Sequence, residues 1–268
     1  MSTIQISNLH YQYPTSDFQL AIDQLSIADS LVAIVGQNGA GKSTLFKLLT
    51  GLVQPQKGAV KINQRNLATL TPEERLRTIG IVFQDPSSQL FNPTVEKEVA
   101  WSLSQLESDA ELVQATVKKA LASVGLTKLK DQNPFDLSLP EKKLLTIATV
   151  LAINPQIYLF DEPMMSLDWP SQRLVTDLMQ YLAQTGHQVI AITHDMDWAA
   201  ATFSKMVALA AGNVVFEGTP TNFFSCPEPV KKAGLLPPRI MTIAQEVFND
   251  HHVYLTPQDY AEKYPAHQ

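Results

Sequence analysis

The sequence predicts an α/β fold with a largely parallel sheet, a helical insertion within it and a small C-terminal extension, and three observations carry that prediction. Short apolar runs recur at 3–9, 31–35, 59–62, 79–83, 157–160, 189–193 and 206–210, most of them separated by amphipathic stretches. Between 94 and 153 the strand signals stop and helical periodicity replaces them. Beyond 225 the chain changes character: Pro227, Pro229, Pro237, Pro238, Pro257 and Pro265 surround one helical stretch at 239–249.

Each part has a local reason. In the insertion, Ser108 and Glu111 read as a capping box ahead of Leu112, Val113, Val117, Ala120, Leu121 and Val124, with Gly125 as the stop. Gly212-Asn213, between two apolar runs, reads as a hairpin turn that closes the core near Gly218. The expected division is a core domain over 1–222, with its helical lobe at about 94–153, and an extension over 223–268.

Composition narrows the function classes. With 45% hydrophobic residues in 268, the chain can bury a sizeable core. The formal charge of −6 and the lack of a Lys/Arg stripe speak against a sequence-independent grip on DNA or RNA, so no nucleic-acid partner is expected and any phosphate binding is local. No apolar run reaches the roughly 18–20 residues that cross a bilayer, and the start has no basic region followed by an apolar one, so a cytosolic location is expected. Cys226 is the sole cysteine, which removes internal disulfides and makes zinc and redox chemistry poor explanations.

The strongest signal is Gly36-Gln37-Asn38-Gly39-Ala40-Gly41-Lys42-Ser43, placed after the apolar run 31–35 and before a leucine-rich helix. Glycines let successive N–H groups turn inward on phosphates, and the helix N-terminus adds its positive dipole end. Lys42 is the candidate for the β- and γ-phosphates and Ser43 for Mg²⁺. A second element, 157–163, places Asp161 and Glu162 side by side at the end of a buried strand, the edge at which parallel α/β sheets bind ligands. Asp161 is the candidate for Mg²⁺ or its water, and Glu162, pointing the other way, for the general base that polarises the attacking water.

These residues, with others in the same order along the chain, resemble the ABC transporter ATPase family over residues 1 to about 220. The resemblance implies a P-loop ABC cassette: a RecA-like core, an N-terminal antiparallel β-subdomain and a helical insertion. It also implies ATP with Mg²⁺ as the ligand. Gln84 matches the Q-loop glutamine, which in the family reaches Mg²⁺ and the attacking water; His194 matches the switch histidine at the γ-phosphate. Ser166-Leu167-Asp168 matches the D-loop, with Trp169 where proline is usual. Tyr13 matches the aromatic residue that stacks on adenine, with Tyr11 as the alternative. The nucleotide-contacting set implied is Tyr13, Gly36, Asn38, Gly39, Ala40, Gly41, Lys42, Ser43, Thr44, Asp168 and Ser138, with Ser43, Gln84 and Asp161 on the metal.

A narrower resemblance is carried by 82–95, where Gln89-Leu90-Phe91 is distinctive, and by the tail 229–237. Both are similar to energy-coupling factor (ECF) transporter ATPases. That implies a peripheral protein on the cytoplasmic face of the cell membrane, docked on a transmembrane coupling protein that carries membrane subunits binding a vitamin or metal ion. The tail is then a dimerisation extension, and 94–103 is either the docking surface or an ordinary amphipathic helix.

One motif departs from the family. Its signature should read Leu-Ser-Gly-Gly-Gln, and here the run is Leu137-Ser138-Leu139-Pro140-Glu141. In the family's head-to-tail dimer that helix start faces the γ-phosphate held by the other subunit. Pro140 lacks an N–H, Leu139 adds a side chain where close approach is needed, and Glu141 brings negative charge near a polyanion. Ser138 still suits an N-cap. The expectation is a heterodimer with a second ABC ATPase subunit of full signature. The alternatives are the ATPase of another ABC importer or a nucleotide-binding regulatory subunit with little hydrolysis. Cassette proteins of translation or DNA repair usually carry two cassettes or a long coiled coil, and a P-loop kinase leaves Gln84, His194 and Asp168 without a role.

Overall fold

The computed structural model describes residues 2–15 and 17–264. Two compact units divide it, one built on Ile62–Ala191 and one on Thr3–Lys61 with Ile192 onward.

In the second of these, β1 (Ile4–Gln12) and β2 (Gln19–Ile27) form an antiparallel pair running from Ile4 opposite Ile27 to Gln12 opposite Gln19. Their apolar residues alternate inward, with Ile4, Ile6, Leu20, Ile22 and Leu25 all buried. β3 (Leu31–Val35) is buried along its whole length and is followed by α1 (Lys42–Thr50). Such a run is what a strand covered on both faces requires. Leu45, Phe46 and Leu49 of α1 are at most 1% exposed, and burying each contributes roughly 1.5–3 kcal/mol, which fixes the helix under the loop that precedes it. β4 (Lys57–Ile62) then leads out of this unit.

The unit built on Ile62–Ala191 holds β5 (Arg65–Asn66), α2 (Pro72–Thr78), β6 (Ile79–Val82), and then α3 (Val95–Leu103), α4 (Ala110–Ser123) and α5 (Leu139–Ile153), which pack on one another as the expected insertion. β7 (Ile157–Asp161) runs parallel to β6, with Val82 opposite Phe160, and α6 (Trp169–Gln184) and β8 (Gln188–Ile192) follow. The cap of α4 differs from the expectation at Ser108: Asp109 is the N-cap and accepts from the N–H groups of Glu111 and Leu112. A carboxylate one residue nearer the helix takes the first-turn donors before Ser108 can.

Past Ile192 come α7 (Met196–Thr202), β9 (Lys205–Ala210) and β10 (Asn213–Gly218); β9 is parallel to β3 and antiparallel to β10. The hairpin turn is Ala211-Gly212, one residue earlier than read, because Asn213 already pairs with Ala210. Both turn residues have positive φ (45° and 78°), the backbone a two-residue hairpin needs. The tail holds α8 (Pro220–Ser225), α9 (Pro227–Lys232), α10 (Arg239–Phe248) and α11 (Pro257–Lys263), where one helical stretch was expected. Pro227 and Pro257, read as breakers, each occupy the first helical position, where a missing N–H costs nothing, and are helix starters, as is Pro220. Pro265 lies outside the described residues. Among the described residues, no helix is long and apolar enough to cross a membrane.

Candidate functional site

The phosphate loop is shaped by contacts from far along the chain. Gly36, at φ 147°, lies against β9 so closely that a Cβ would stand 2.3 Å from the Leu209 carbonyl oxygen. Gly41, at φ 106°, ends the loop as the N-cap of α1. Lys42 is 8% exposed, and its ammonium donates to the carbonyls of Gly36 at 2.7 Å and Gln37 at 3.0 Å, so it lies over the turn. The first turn of α1 carries no acidic residue, which leaves its positive end suited to an anion. Ser43 and Asn38 are exposed, while Ala40 and Thr44 are buried, and the Ala40 carbonyl accepts from the Gly212 N–H at 3.1 Å. From the tail, the Ala233 carbonyl accepts from the Gln37 N–H at 2.9 Å, and Gly234 abuts the Gln37 side chain.

Two further residues of the same unit belong with the loop. Thr193 is 2% exposed and its N–H donates to Ile34 of β3 at 3.2 Å, while Asp195 caps α7 by accepting from the Trp198 N–H. His194 is exposed between those two anchors, beside the strand that feeds the phosphate loop. Tyr11 is buried and packs edge-on against Tyr13 at 5.0 Å between ring centroids. Tyr13 is half-buried and sits 5.6 Å from the Lys47 ammonium of α1. Of the two tyrosines, Tyr11 is core and Tyr13 offers a ring face.

The unit built on Ile62–Ala191 gathers the carboxylates. Asp161 ends β7 and is 7% exposed. Glu162 follows at φ 48°, a left-handed backbone uncommon for a residue with a side chain, and its carbonyl accepts from the Met165 N–H. Asp168 is the N-cap of α6 and accepts from the Ser171 N–H at 3.1 Å; its bonds to Ser171 hold the carboxyl below its usual range. Beside it Trp169 is 69% exposed, with the Arg173 guanidinium over its ring.

Gln84 is exposed at the end of β6 and donates to the Met165 thioether at 3.6 Å. With Asp85, Pro86, Leu139, Lys143, Met165 and Ser166 it lines a cavity of about 250 Å³. The Gln89 side chain fixes where strand becomes loop, accepting from the Phe83 N–H at 2.9 Å and donating to the Ile81 carbonyl at 3.1 Å. Leu90 is buried, and Phe91 is 60% exposed, edge-on to the half-exposed Trp101 of α3. Glu98, 3% exposed, holds this turn by accepting from the N–H groups of Phe91 and Asn92.

At the start of α5, Ser138 is the N-cap and Glu141 reaches back to it, accepting from the Ser138 N–H at 2.8 Å and from its hydroxyl at 2.6 Å. These bonds hold the Glu141 carboxyl below its ordinary value. One turn on, Lys143 is 1% exposed and donates to the carbonyls of Phe83 at 3.0 Å and Gln84 at 2.8 Å. Burial pushes its ammonium down to about 8 against the opposing pull of Asp161, Glu162 and Asp85. Sequence reading missed Lys143, Glu98 and the Gln89 clasp. The second of the adjacent lysines Lys142 and Lys143, opening the mostly apolar stretch Leu144-Leu145-Thr146-Ile147, was the available signal for the first.

The residues meant for Mg²⁺ offer oxygen donors only: the Ser43 hydroxyl, the Asp161 carboxylate and the Gln84 amide. Each is a hard donor of the kind that magnesium takes.

The ABC transporter family model matches residues 24–165, just over half of the chain. An energy-coupling factor transporter ATP-binding protein of Methanospirillum hungatei, EcfA2, is 36% identical over 91% of this chain, and the chain spans 62% of that relative's length. The energy-coupling factor transporter ATP-binding protein EcfA of Carboxydothermus hydrogenoformans is 40% identical over 80% of both chains. Among solved structures, cbiO1 of Clostridium perfringens, part of the ABC transporter complex cbiONQ, superimposes with a TM-score of 0.74 and 29% identity over 90% of this chain and 98% of that one. With a phosphate loop between β3 and α1, paired carboxylates at the end of β7 and this match, the chain belongs to the ABC transporter family.

Proposed function

We propose that the chain is an ATP-binding and ATP-hydrolysing subunit of an ECF-type transporter, working as one of two unequal ATPases on the cytoplasmic face of the membrane. Family membership and the ECF relatives support the ATPase and its transporter class. The observation that carries the unequal pair is the contrast between the phosphate loop and the start of α5, where the Ser138 hydroxyl is already given to Glu141 at 2.6 Å. A signature start that spends its serine on a neighbouring carboxylate, and shows that negative charge to solvent, is a poor partner for another subunit's γ-phosphate.

In this reading Lys42 and the backbone of Gly36, Asn38, Gly39, Ala40, Gly41 and Thr44 hold the phosphates, and Tyr13 stacks on adenine. Ser43, Asp161 and Gln84 take the Mg²⁺ that neutralises phosphate charge. Glu162 accepts the proton of the attacking water and His194 contacts the γ-phosphate. Asp168, which fixes the start of α6, lies at the pairing surface with Ser138. The cargo is a vitamin or metal ion, imported through membrane subunits on a transmembrane coupling protein. The exposed Phe91–Trp101 pair, held by Glu98, supports 94–103 as the docking segment. Residues 223–268 act as a pairing extension, and the exposed Leu236, Ile243, Val247 and Phe248 support that use.

The test is ATP hydrolysis by the chain alone and with the proteins that copurify from gently solubilised membranes. Little turnover alone and strong turnover with a second cassette and two membrane proteins is expected. Robust turnover alone, rising with homodimer formation, overturns the unequal pair.

A further inference from the structure

Lys143 combines three properties. It is among the largest fully buried side chains, although lysine is seldom buried, and a buried ammonium is tolerated only when its donors are met. Its acceptors are two consecutive main-chain carbonyls, Phe83 and Gln84, where β6 gives way to the loop carrying the Gln84 side chain. Its charge also acts on Asp161, Glu162 and Asp85. The residue stands on α5 one turn past Leu139, so a single side chain ties the start of α5 to the backbone of Gln84, within the field of the carboxylates at the end of β7.

We propose that Lys143 is a positioning residue for the hydrolytic step: it fixes the backbone of Gln84 against the start of α5, so that a shift of that helix carries the Gln84 side chain with it. The proposal rests on the ATPase reading. Two charge-assisted bonds to one dipeptide are strong and directional, and they act on the peptide from which the Gln84 side chain leaves. Gln89 grips the same strand end through Ile81 and Phe83, but its bonds stop before Gln84. Lys143 is the contact that reaches it.

The experiment compares Lys143→Met and Lys143→Gln with wild type in the complex purified with its partners. It reads ATP kcat and KM together with hydrogen exchange of the 83–86 segment. The expected result for the methionine variant is a KM within about threefold of wild type and a kcat lower by about tenfold or more, because the phosphate loop is untouched. Exchange at 83–86 should rise while the α1 amides keep wild-type protection. The glutamine variant, which keeps a donor, should recover part of both readings. Should the methionine variant fail to fold, glutamine against wild type gives the same two readings. Wild-type kcat and unchanged exchange at 83–86 overturn the proposal. A wild-type complex that hydrolyses no ATP overturns the ATPase reading instead, and exchange at 83–86 still reports whether Lys143 holds the loop.

Discussion

Glu141 takes both hydrogen-bond donors of Ser138, its N–H at 2.8 Å and its hydroxyl at 2.6 Å. One carboxylate thus completes the helix start and occupies the serine. Replacing Glu141 with alanine removes the reach-back bond and should cost roughly 0.5–2 kcal/mol of stability, read as a lower melting temperature. Glu141→Gln keeps an acceptor for the N–H and drops the charge, so stability should change less. In the assembled complex, turnover at the partner's site, which this helix faces, should rise with Gln, measured with this chain's own hydrolysis disabled by Glu162→Gln.

Glu162→Gln should leave ATP bound and slow its hydrolysis by roughly 10²–10⁴-fold, the range a lost general base costs. Radiolabelled ATP retained by the complex, set against phosphate release, measures both sides. Retained turnover removes Glu162 from that role.

Gly36→Ala places a methyl 2.3 Å from the Leu209 carbonyl oxygen, on a backbone at φ 147°. The loop has to shift, and the variant should lose more than about 1 kcal/mol together with nucleotide binding. Gly125→Asn is the control. Gly125 also has positive φ, but nothing lies within 4 Å of its added Cβ and asparagine tolerates that backbone, so folding and binding should persist. Thermal melting with and without nucleotide separates the two.

Asp250 gathers the end of the tail. It accepts from the hydroxyls of Tyr254 and Tyr264 and from His252, and pairs with Lys263 at 3.7 Å. The Tyr254 hydroxyl, ahead of the bonds from His252 and Tyr264, holds its carboxyl well below the usual range. A carboxylate whose folded value is depressed contributes fully above its unfolded value near 4, and that contribution fades as pH falls through the folded value. The aromatic cluster of Tyr254, Tyr260 and Tyr264 should therefore loosen in strong acid. Asp250→Asn should loosen it at neutral pH and flatten the acid limb, both followed by hydrogen exchange over 254–264.

The phosphate loop and the β7 carboxylates were legible because their chemistry is local: a few adjacent residues between a strand and a helix specify both. The tail was misread because proline has two opposite meanings, and only the following residues separate a stop from a first helical turn. Ser108 lost to Asp109 on a one-residue offset, and Tyr11 differs from Tyr13 only in lying inside β1, where it is buried, and not one residue past its end. Lys143 and Glu98 were not legible because their value lies in partners brought near by folding. In sequence, each is one more charged residue on a helix.

The Gln37 N–H meets its acceptor, the Ala233 carbonyl, only after the residues up to 233 have been made. A motif that reads as eight contiguous residues is therefore finished only when α9 has emerged and closes on it. The nascent chain carries the letters of the phosphate loop long before it carries the loop itself.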